Sequence, residues 1–519
     1  MSLRCAAVFA ALLHILGANF ACAQDVTLTS PDGAVEINGN LLGFDGEFYR
    51  IDTVYGELTV DGSGVLCDGP GCPNLNDYVA ELAISGSSTM GAVLVPALLE
   101  AFAQRSGYRV VRETIDETRF RYTLIDSASS KAVGRFTFRV SNTDEGFADL
   151  LANEADVVMA LREIRPDERT RANEAGMGDM TGQNRSRVLA LDAVVPIVSP
   201  GNPVHSISTP DLAAVFAGTI TNWSDLGGPD APIALHLPAA GSGLSQAVED
   251  RLMRPVNAQV SQFVVRHGLS GALAGAVVSD PFALGMASLA ETGNAQVLTL
   301  TGNCGFSLSA TRRSIKTEDY PLTSPMFLYL PARRLPKLAR EFLSFTRGQA
   351  AQIVIRRTGF VDQTPEEIEI NAQGDRFANA ISVIGQDNRI DQLQRLVKVL
   401  SPMKRLTTSF RFEAGSVRLD AQSRSNVQQL ATSLEAGRYD ARRILFVGFS
   451  DGDGPSSGNR AIALRRAEAV RKAVIAAAET ANQERLTLDV DAFGEALPMA
   501  CDDSDWGRQV NRRVEVWVR

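Results

Sequence analysis

Asp451 and Arg466 are the residues whose types and spacing most directly suggest recognition chemistry. Asp451 follows the apolar run 444–447 in the glycine-rich segment "GFSDGDGPSSGN", and Arg466 lies in the helical pattern that comes next, where we expect its side chain to face water. Three further arginines precede the last apolar run in "GRQVNRRVEVWV", namely Arg508, Arg512 and Arg513. A carboxylate that faces guanidinium groups can hold a ligand with both an ammonium and a carboxylate. The alternative is a structural salt bridge, which is common at protein surfaces.

A second group of small polar residues lies in "ISGSSTMG", residues 84–91. Ser87, Ser88 and Thr89 stand between the apolar run 79–83 and the helical pattern 92–102. Free backbone N–H groups and the positive end of a helix dipole at such a junction favour an anion. The alternative is that these hydroxyls only cap the helix.

Four segments must position these residues. Residues 24–76 alternate apolar and polar residues between glycine- and aspartate-bearing turns, which predicts a small β-rich module. Residues 77–362 mix β-branched runs with amphipathic helical stretches, the pattern of an α/β domain. Residues 363–404 are predicted to be a linker with a helix, and residues 405–519 follow a β-α-β-α-β order typical of a separate domain.

The first residues indicate export. Residues 1–23 combine an early arginine, an apolar run and a final Ala-Cys-Ala, which predicts a signal peptide cleaved before Gln24. No later stretch has the roughly 18 consecutive apolar residues of a membrane span. The net charge of −9 without a basic run argues against nucleic acid as a partner.

Cysteine spacing fits the oxidising compartment that a signal peptide implies. Cys67 and Cys72 in "VLCDGPGCPN" are close enough to close a small loop, and we predict a disulfide between them. Cys304 and Cys501 fall in different segments, and the sequence leaves open whether they pair or stay free. The histidines at 205, 236 and 267 show no ligand-like spacing, so no metal site is expected.

The last segment resembles the OmpA-like peptidoglycan-binding domain over about 110 residues. The matching motifs are Gly448-x-x-Asp451, Asn459, Arg466-Ala467-x-x-Val470, Gly494-Glu495 with Pro498, and Gly507-Arg508 through Glu515. The resemblance implies that Asp451 and Arg466 grip the ammonium and carboxylate of diaminopimelate, with Asn459 and Arg512 as supporting contacts. Phe449 and Ser450 replace the histidine and threonine that usually precede the aspartate.

The middle segment resembles the phosphate-binding periplasmic proteins of ABC transporters from about residue 80 to 362. The matching stretches are "ISGSSTMG", "ADVVMALREI", "AVVPIVSPGNPV" through "NWSDLGG", "GSGLSQAVEDRL", "YPLTSPMFLYL" and "FLSFTRGQAAQIVIRRTGFV". The resemblance implies a two-lobed type II periplasmic binding fold that closes on a ligand by a hinge. Its oxyanion site would comprise the following residues: Ser87, Ser88, Thr89, Arg162, Ser242 and Gly243. The alternatives are an interdomain ion pair for Arg162 and a helix cap for Ser242.

Several positions depart from that family's pattern. Leu161 stands where a serine or aspartate is expected before the arginine, Leu244 and Ser245 replace a threonine and an arginine, and Pro238 replaces another arginine. Each lost hydrogen bond to a buried anion costs about 1.5–3 kcal/mol, so these changes weaken or alter anion binding.

The fold class predicted is therefore an α/β multidomain protein: a β-rich module, a two-lobed binding fold and an OmpA-like α/β sandwich. The function predicted is an exported envelope binding protein that anchors to peptidoglycan and binds phosphate or a related oxyanion. The alternative is a structural or sensory envelope protein whose binding fold has lost or changed its ligand. Neither an enzyme nor a cofactor is expected. Envelope proteins are further candidate partners, and the expected location is the periplasm, at the peptidoglycan and the outer membrane.

Overall fold

The computed structural model describes residues 25–75, 77–182, 185–383, 389–413 and 415–519. The signal peptide predicted over residues 1–23 lies outside these ranges. Among the helices in these ranges, none combines the length and the apolar character that a membrane crossing requires.

The N-terminal module is an antiparallel sheet of five strands. In spatial order the strands are Gly56–Asp61, Phe48–Thr53, Glu36–Phe44, Val26–Thr29 and Leu66–Asp68. Burial alternates along the second of these, where Tyr49 and Ile51 are buried and Arg50 and Asp52 are exposed, as the period-two pattern predicts. Cys67 and Cys72 form the predicted disulfide.

The middle of the chain forms two lobes that share one mixed sheet of eleven strands. The two crossover strands, Ser186–Val198 and Thr323–Tyr329, pair antiparallel and run between the lobes. Nearly every residue of both strands is buried. Their continuous apolar runs follow from burial on both faces, which removes the need for polar residues at alternate positions. The two-lobed fold predicted from sequence is confirmed.

The first lobe contains five strands beside the crossover strands, Ala80–Ser87, Tyr108–Thr114, Arg119–Asp126, Ala132–Ser141 and Val157–Ala160. Its helices are Val95–Arg105, Thr143–Leu151, Pro166–Glu174, Lys337–Phe345 and Gln349–Arg357. The second lobe contains the strands Ser206–Ser208, Ala234–Pro238, Val265–His267, Ala283–Ser288, Gln296–Val297, Thr299–Thr301 and Ser307–Leu308. Its helices are Thr209–Ala217, Gly243–Val248, Ser270–Ser279 and Arg312–Lys316.

The C-terminal domain is a five-stranded sheet between two helical layers. In spatial order its strands are Glu367–Ile368, Lys404–Phe410, Arg513–Val518, Arg443–Phe449 and Thr487–Gly494. The helices Ala421–Glu435 and Ser456–Ala477 cover one face. The other face is covered by Gly374–Ser382 and Arg389–Leu400, and Asp505–Asn511 precedes the last strand. Residues 363–404, predicted to be a linker with a helix, thus contribute a strand and a helical layer to this domain, because apolar side chains such as Leu396 and Leu400 are buried against its sheet.

Short helical turns complete the chain at Gly62–Gly64, Met90–Leu94, Trp223–Leu226, Glu249–Met253, Arg254–Val256, Leu289–Glu291, Ile370–Gln373 and Gln483–Arg485.

A disulfide and a buried group of charged residues are among the contacts that join the C-terminal domain to the two-lobed domain. Cys304 of the second lobe forms a disulfide with Cys501, which settles the pairing that the sequence left open. Asp319, near the second crossover strand, accepts hydrogen bonds from Arg405 at 2.8 and 3.1 Å and from Arg411 at 3.2 Å. All three side chains are buried. Although burial opposes ionisation, Arg405 and Arg411 hold the pKa of Asp319 below its usual value.

Candidate binding sites in the two domains

The loop that carries Asp451 lies beside the helix that carries Arg466, and a glycine makes that approach possible. Gly448 stands near the end of the strand Arg443–Phe449, where a Cβ atom would fall 2.0 Å from the carbonyl oxygen of Ala463. Helix Ser456–Ala477 therefore packs directly on the strand backbone. Asp451 follows the end of this strand and Arg466 is one turn beyond Ala463, so the two residues belong to one corner of the domain.

Asp451, Arg512 and Arg466 form one charged cluster. Arg512 Nη1 donates to Asp451 Oδ2 at 2.6 Å. Burial lowers the pKa of Arg466, and the neighbouring Arg512 lowers it further, while Asp451 opposes both. The salt bridge that the sequence left as the alternative for Asp451 is therefore present. Its geometry is compatible with a ligand, because an incoming ammonium or carboxylate could exchange with either partner.

Arg466 does not face water, and the expectation that it would is wrong. Only 5% of the residue is exposed. Its Nε and Nη2 atoms lie 3.4 Å from the carbonyl oxygen of Ser416, and its guanidinium carbon lies 5.1 Å from the ring centre of Phe412. The loop after strand Lys404–Phe410 covers the arginine. No motif in the sequence predicts this contact, because the loop and Arg466 are far apart along the chain.

Asn459 and two acidic residues border the same cluster. Asn459 Nδ2 donates to Glu495 Oε2 at 2.8 Å. Asp502 accepts the backbone N–H of Gly452 at 2.8 Å and the Asn511 amide at 2.7 Å. Burial raises the pKa of Asp502, and Asp451 contributes to the increase. Sequence reasoning missed the border role of Glu495 and Asp502, although Glu495 lies within the motif Gly494-Glu495.

In the two-lobed domain, the hydroxyl-rich turn occupies the predicted junction. Strand Ala80–Ser87 ends at Ser87, and Ser88 and Thr89 begin a helical segment that continues to Arg105. The Ser87 hydroxyl is buried without a hydrogen-bond partner among the described residues, and Thr89 makes no side-chain capping bond. Ser88 is exposed. Simple capping therefore does not account for these hydroxyls.

The Ser242 loop of the second lobe meets the first lobe at Leu161. Ser242 caps helix Gly243–Val248 by accepting the N–H of Ser245, which was the alternative interpretation of this serine. A Cβ atom on Gly243 would lie 3.0 Å from Leu161 Cδ1 and 3.3 Å from Thr143 Oγ1. Thr143 lies two residues after Ser141, which pairs with Ser87 in the sheet. The turn and the loop thus lie at the same edge of the sheet.

Arg162 lies at this boundary, and two carboxylates hold it. Its guanidinium donates to both oxygens of Glu168, at 2.8 and 2.6 Å, and to Asp144. Gln246 of the second lobe donates to Asp144 at 2.5 Å. Burial alone would lower the pKa of Arg162, but Glu168 and Asp144 raise it above its usual value. An anion that binds Arg162 must compete with two carboxylates.

Arg266 is a cation near this site that sequence reasoning missed. Its Nη1 donates to Ser245 Oγ at 2.7 Å and to the Pro238 carbonyl at 3.1 Å. It lies on the strand Val265–His267, which pairs parallel with the strand that leads into the Ser242 loop. The same pairing brings His236 and His267 to 2.9 Å between ring nitrogens. Only the strand order, which the sequence does not give, brings these residues together.

Comparisons with known proteins match two parts of the chain. The family model of the PBP superfamily domain matches residues 56–348, and that of the OmpA family matches residues 411–512. The chain is 22% identical over 267 residues to phosphate-binding protein PstS of Borreliella burgdorferi, covering 50% of this chain and 90% of that protein. It is 24% identical over 243 residues to protein SphX of Synechococcus elongatus, and the match covers 43% of this chain and 68% of that protein.

Two of the solved structures that resemble parts of this chain correspond to these two domains. An ABC-type phosphate transport receptor from Vibrio cholerae is 20% identical with a TM-score of 0.42, covering 54% of this chain and 99% of that chain. A peptidoglycan-associated lipoprotein from Burkholderia pseudomallei is 27% identical with a TM-score of 0.19, covering 22% of this chain and 90% of that chain.

Proposed function

The chain belongs to the PBP superfamily, and from that premise we propose that it is an exported envelope binding protein anchored to peptidoglycan by its C-terminal OmpA domain. The observation that carries the anchoring is the cluster of Asp451, Arg466 and Arg512 at one corner of that domain. The ammonium of diaminopimelate would meet Asp451 and its carboxylate would meet Arg466, with Arg512 and Asn459 beside them. The protein would act in the periplasm, at the peptidoglycan and the outer membrane.

Sedimentation with purified peptidoglycan tests the anchoring. The variant Asp451→Asn keeps the shape of the side chain and loses its charge, and its bound fraction should fall about tenfold or more, because a hydrogen bond to a charged group contributes about 1.5–3 kcal/mol. Arg466→Ala should act in the same direction. Asp453→Asn and Arg465→Ala alter exposed neighbours and serve as matched controls. If both site variants sediment as the parent does while their circular dichroism shows a folded chain, the charged cluster does not bind the wall.

For the two-lobed domain we propose an oxyanion such as phosphate, bound between Ser87, Ser88 and Thr89 on one side and Ser242 and Gly243 on the other. The relatives that match this domain include proteins named for phosphate binding. The unpartnered Ser87 hydroxyl and the proximity of Arg266 to the Ser242 loop support the proposal. Arg162 would contribute its charge only after an ion pair with Asp144 or Glu168 rearranges.

One observation favours the second candidate, a structural or sensory protein with a lost or changed ligand. Leu161 is buried against Gly243, where the lobes meet, and Arg162 is already neutralised. Calorimetric titration of the chain from residue 24 onwards with phosphate separates the two. If the oxyanion site works, the parent should give saturable heat. The variant Arg266→Ala should lower the affinity for phosphate about tenfold. The variant Arg169→Ala, at an exposed position, serves as the control. No heat from a chain that still sediments with peptidoglycan selects the second candidate.

A further inference from the structure

A cavity of about 500 Å³ lies between the two-lobed domain and the C-terminal domain. The crossover strand Ser186–Val198 and the helix Gln349–Arg357 line one side. The helix Ala421–Glu435 and the end of helix Ser456–Ala477 line the other. This interdomain cavity includes none of the residues assigned above to the diaminopimelate or oxyanion sites. Its volume is in the range of small-molecule sites, which span about 300–1,000 Å³.

The charged side chains that line the cavity among the described residues are all positive. Arg187 and Arg347 approach from the two-lobed domain, and Arg424 and Arg438 from the C-terminal domain. No aspartate or glutamate is among the described residues that line the cavity. This distribution stands out in a chain whose net charge is −9. A cavity whose charged lining residues are all arginines attracts anions, although Glu163 and Glu413 each lie 3.9 Å from Arg424.

Arg187 and Arg347 are close enough to influence each other. Burial lowers the pKa of Arg187 to about 10, and the charge of Arg347 contributes to that decrease. Partial desolvation also lowers the pKa of Arg347, although the residue as a whole is exposed. The Nε atom of Arg187 is buried and has no hydrogen-bond partner among the described residues. An anion between the two guanidinium groups would relieve their repulsion.

The rest of the lining is neutral and mixed in character. Gln429 of the C-terminal domain donates to Gln363 of the facing segment at 2.6 Å, so amide groups bridge the two sides. Leu328, Val427 and Ala477 add apolar surface. The disulfide between Cys304 and Cys501 and the buried contacts of Asp319 hold the two domains together and so fix the walls. A ligand with both an acidic group and an apolar part fits this combination.

We propose that the interdomain cavity binds a small organic anion that carries a carboxylate, sulfonate or phosphate group and an apolar body. The acidic group would lie between Arg187 and Arg347, and the apolar body would lie against the C-terminal helices. This site is distinct from the proposed oxyanion site, which is made of hydroxyls at the lobe boundary. It is also distinct from the peptidoglycan site around Asp451.

Fluorescence titration of the chain from residue 24 onwards with 8-anilinonaphthalene-1-sulfonate tests the proposal, because this probe has a sulfonate and an aromatic body. We expect one saturable site in the parent, weakened about tenfold or more in Arg187→Ala, since that variant loses a charge-assisted contact. Ala476→Phe, which places a ring in the cavity, should weaken binding by blocking space. Ala461→Phe on the same helix lies outside the lining and serves as its control.

Competition identifies the required chemistry. Octanoate should displace the probe, and octan-1-ol, which has the same chain without the charge, should require a concentration about tenfold higher or more. Equal displacement by the two compounds would overturn the requirement for an anion. The site itself would be overturned if the parent showed no saturable binding, or if Arg187→Ala and Ala476→Phe both bound the probe as the parent does.

Discussion

At the scale of single residues, Asp192 makes stability depend on pH. It lies in the crossover strand, 3% exposed, where it accepts hydrogen bonds from Ser288 Oγ at 2.5 Å and from the Ala193 N–H at 2.8 Å. Burial raises the pKa of Asp192 from 3.8 to about 6. The native state therefore retains a proton that the unfolded chain has already lost. The free energy of unfolding should fall by roughly 3 kcal/mol as the pH rises through this interval.

The variant Asp192→Asn should remove that loss, because the amide is neutral at every pH. We expect it to match the parent near pH 4 and to be more stable by up to about 3 kcal/mol near pH 7 in urea unfolding. Asp225→Asn, at an exposed position, should leave the pH dependence unchanged. A parent and an Asp192→Asn variant with parallel pH profiles would contradict the assignment.

Local sequence patterns indicate some features of the two sites and not others. The motifs predict that Asp451 and Arg466 act on one ligand, and in the structure Asp451 is near enough to oppose the decrease that burial causes in the pKa of Arg466. They did not predict that Phe412 and Ser416 cover Arg466, since that contact spans 50 residues of chain. For Arg162 an ion pair was the alternative interpretation, but its partners Asp144 and Glu168 were not predicted, because composition shows charges and only the fold shows which of them meet.

At the scale of elements, the two disulfides have different consequences. Cys304 and Cys501 are separated by 197 residues and Cys67 and Cys72 by 5, so the first pair closes a far longer loop. Chain entropy then gives roughly 5 kcal/mol of stabilisation for the long loop and roughly 2 kcal/mol for the short one. Replacing both Cys304 and Cys501 by serine should lower the free energy of unfolding by more than the matched replacement of Cys67 and Cys72. An equal or smaller effect would contradict the interdomain link.

Elements with a strong pattern were predictable and packing between elements was not. The first five strands and α-helices after residue 403 follow the predicted β-α-β-α-β order, and a short helix, Asp505–Asn511, and a final strand, Arg513–Val518, follow them. Residues 363–404 were predicted to be a linker, since their polar start resembles a connector. Their helices instead bury Leu396 and Leu400 on the C-terminal sheet. The sequence pattern of a helix predicts an apolar face but not the surface against which that face will pack.

At the scale of the whole molecule, the C-terminal domain contacts both lobes. The Ala421 N–H donates to Glu163 of the first lobe at 3.3 Å, and Trp506 Nε1 donates to the Arg251 carbonyl of the second lobe at 2.6 Å. Hinge motion between the lobes must therefore alter at least one of these contacts. The C-terminal domain is packed against the two-lobed domain and is not joined to it by a flexible tether alone.

The central claim is that one cluster of Asp451, Arg466 and Arg512 recognises diaminopimelate and so anchors the molecule. Calorimetric titration with a soluble tripeptide that contains diaminopimelate tests it most directly, because no other wall polymer contributes. The parent and the control Asp453→Asn should show the same saturable heat from a single site, and Asp451→Asn should bind about tenfold more weakly or worse. Binding by Asp451→Asn that equals the parent, or no binding by the parent, would contradict the claim.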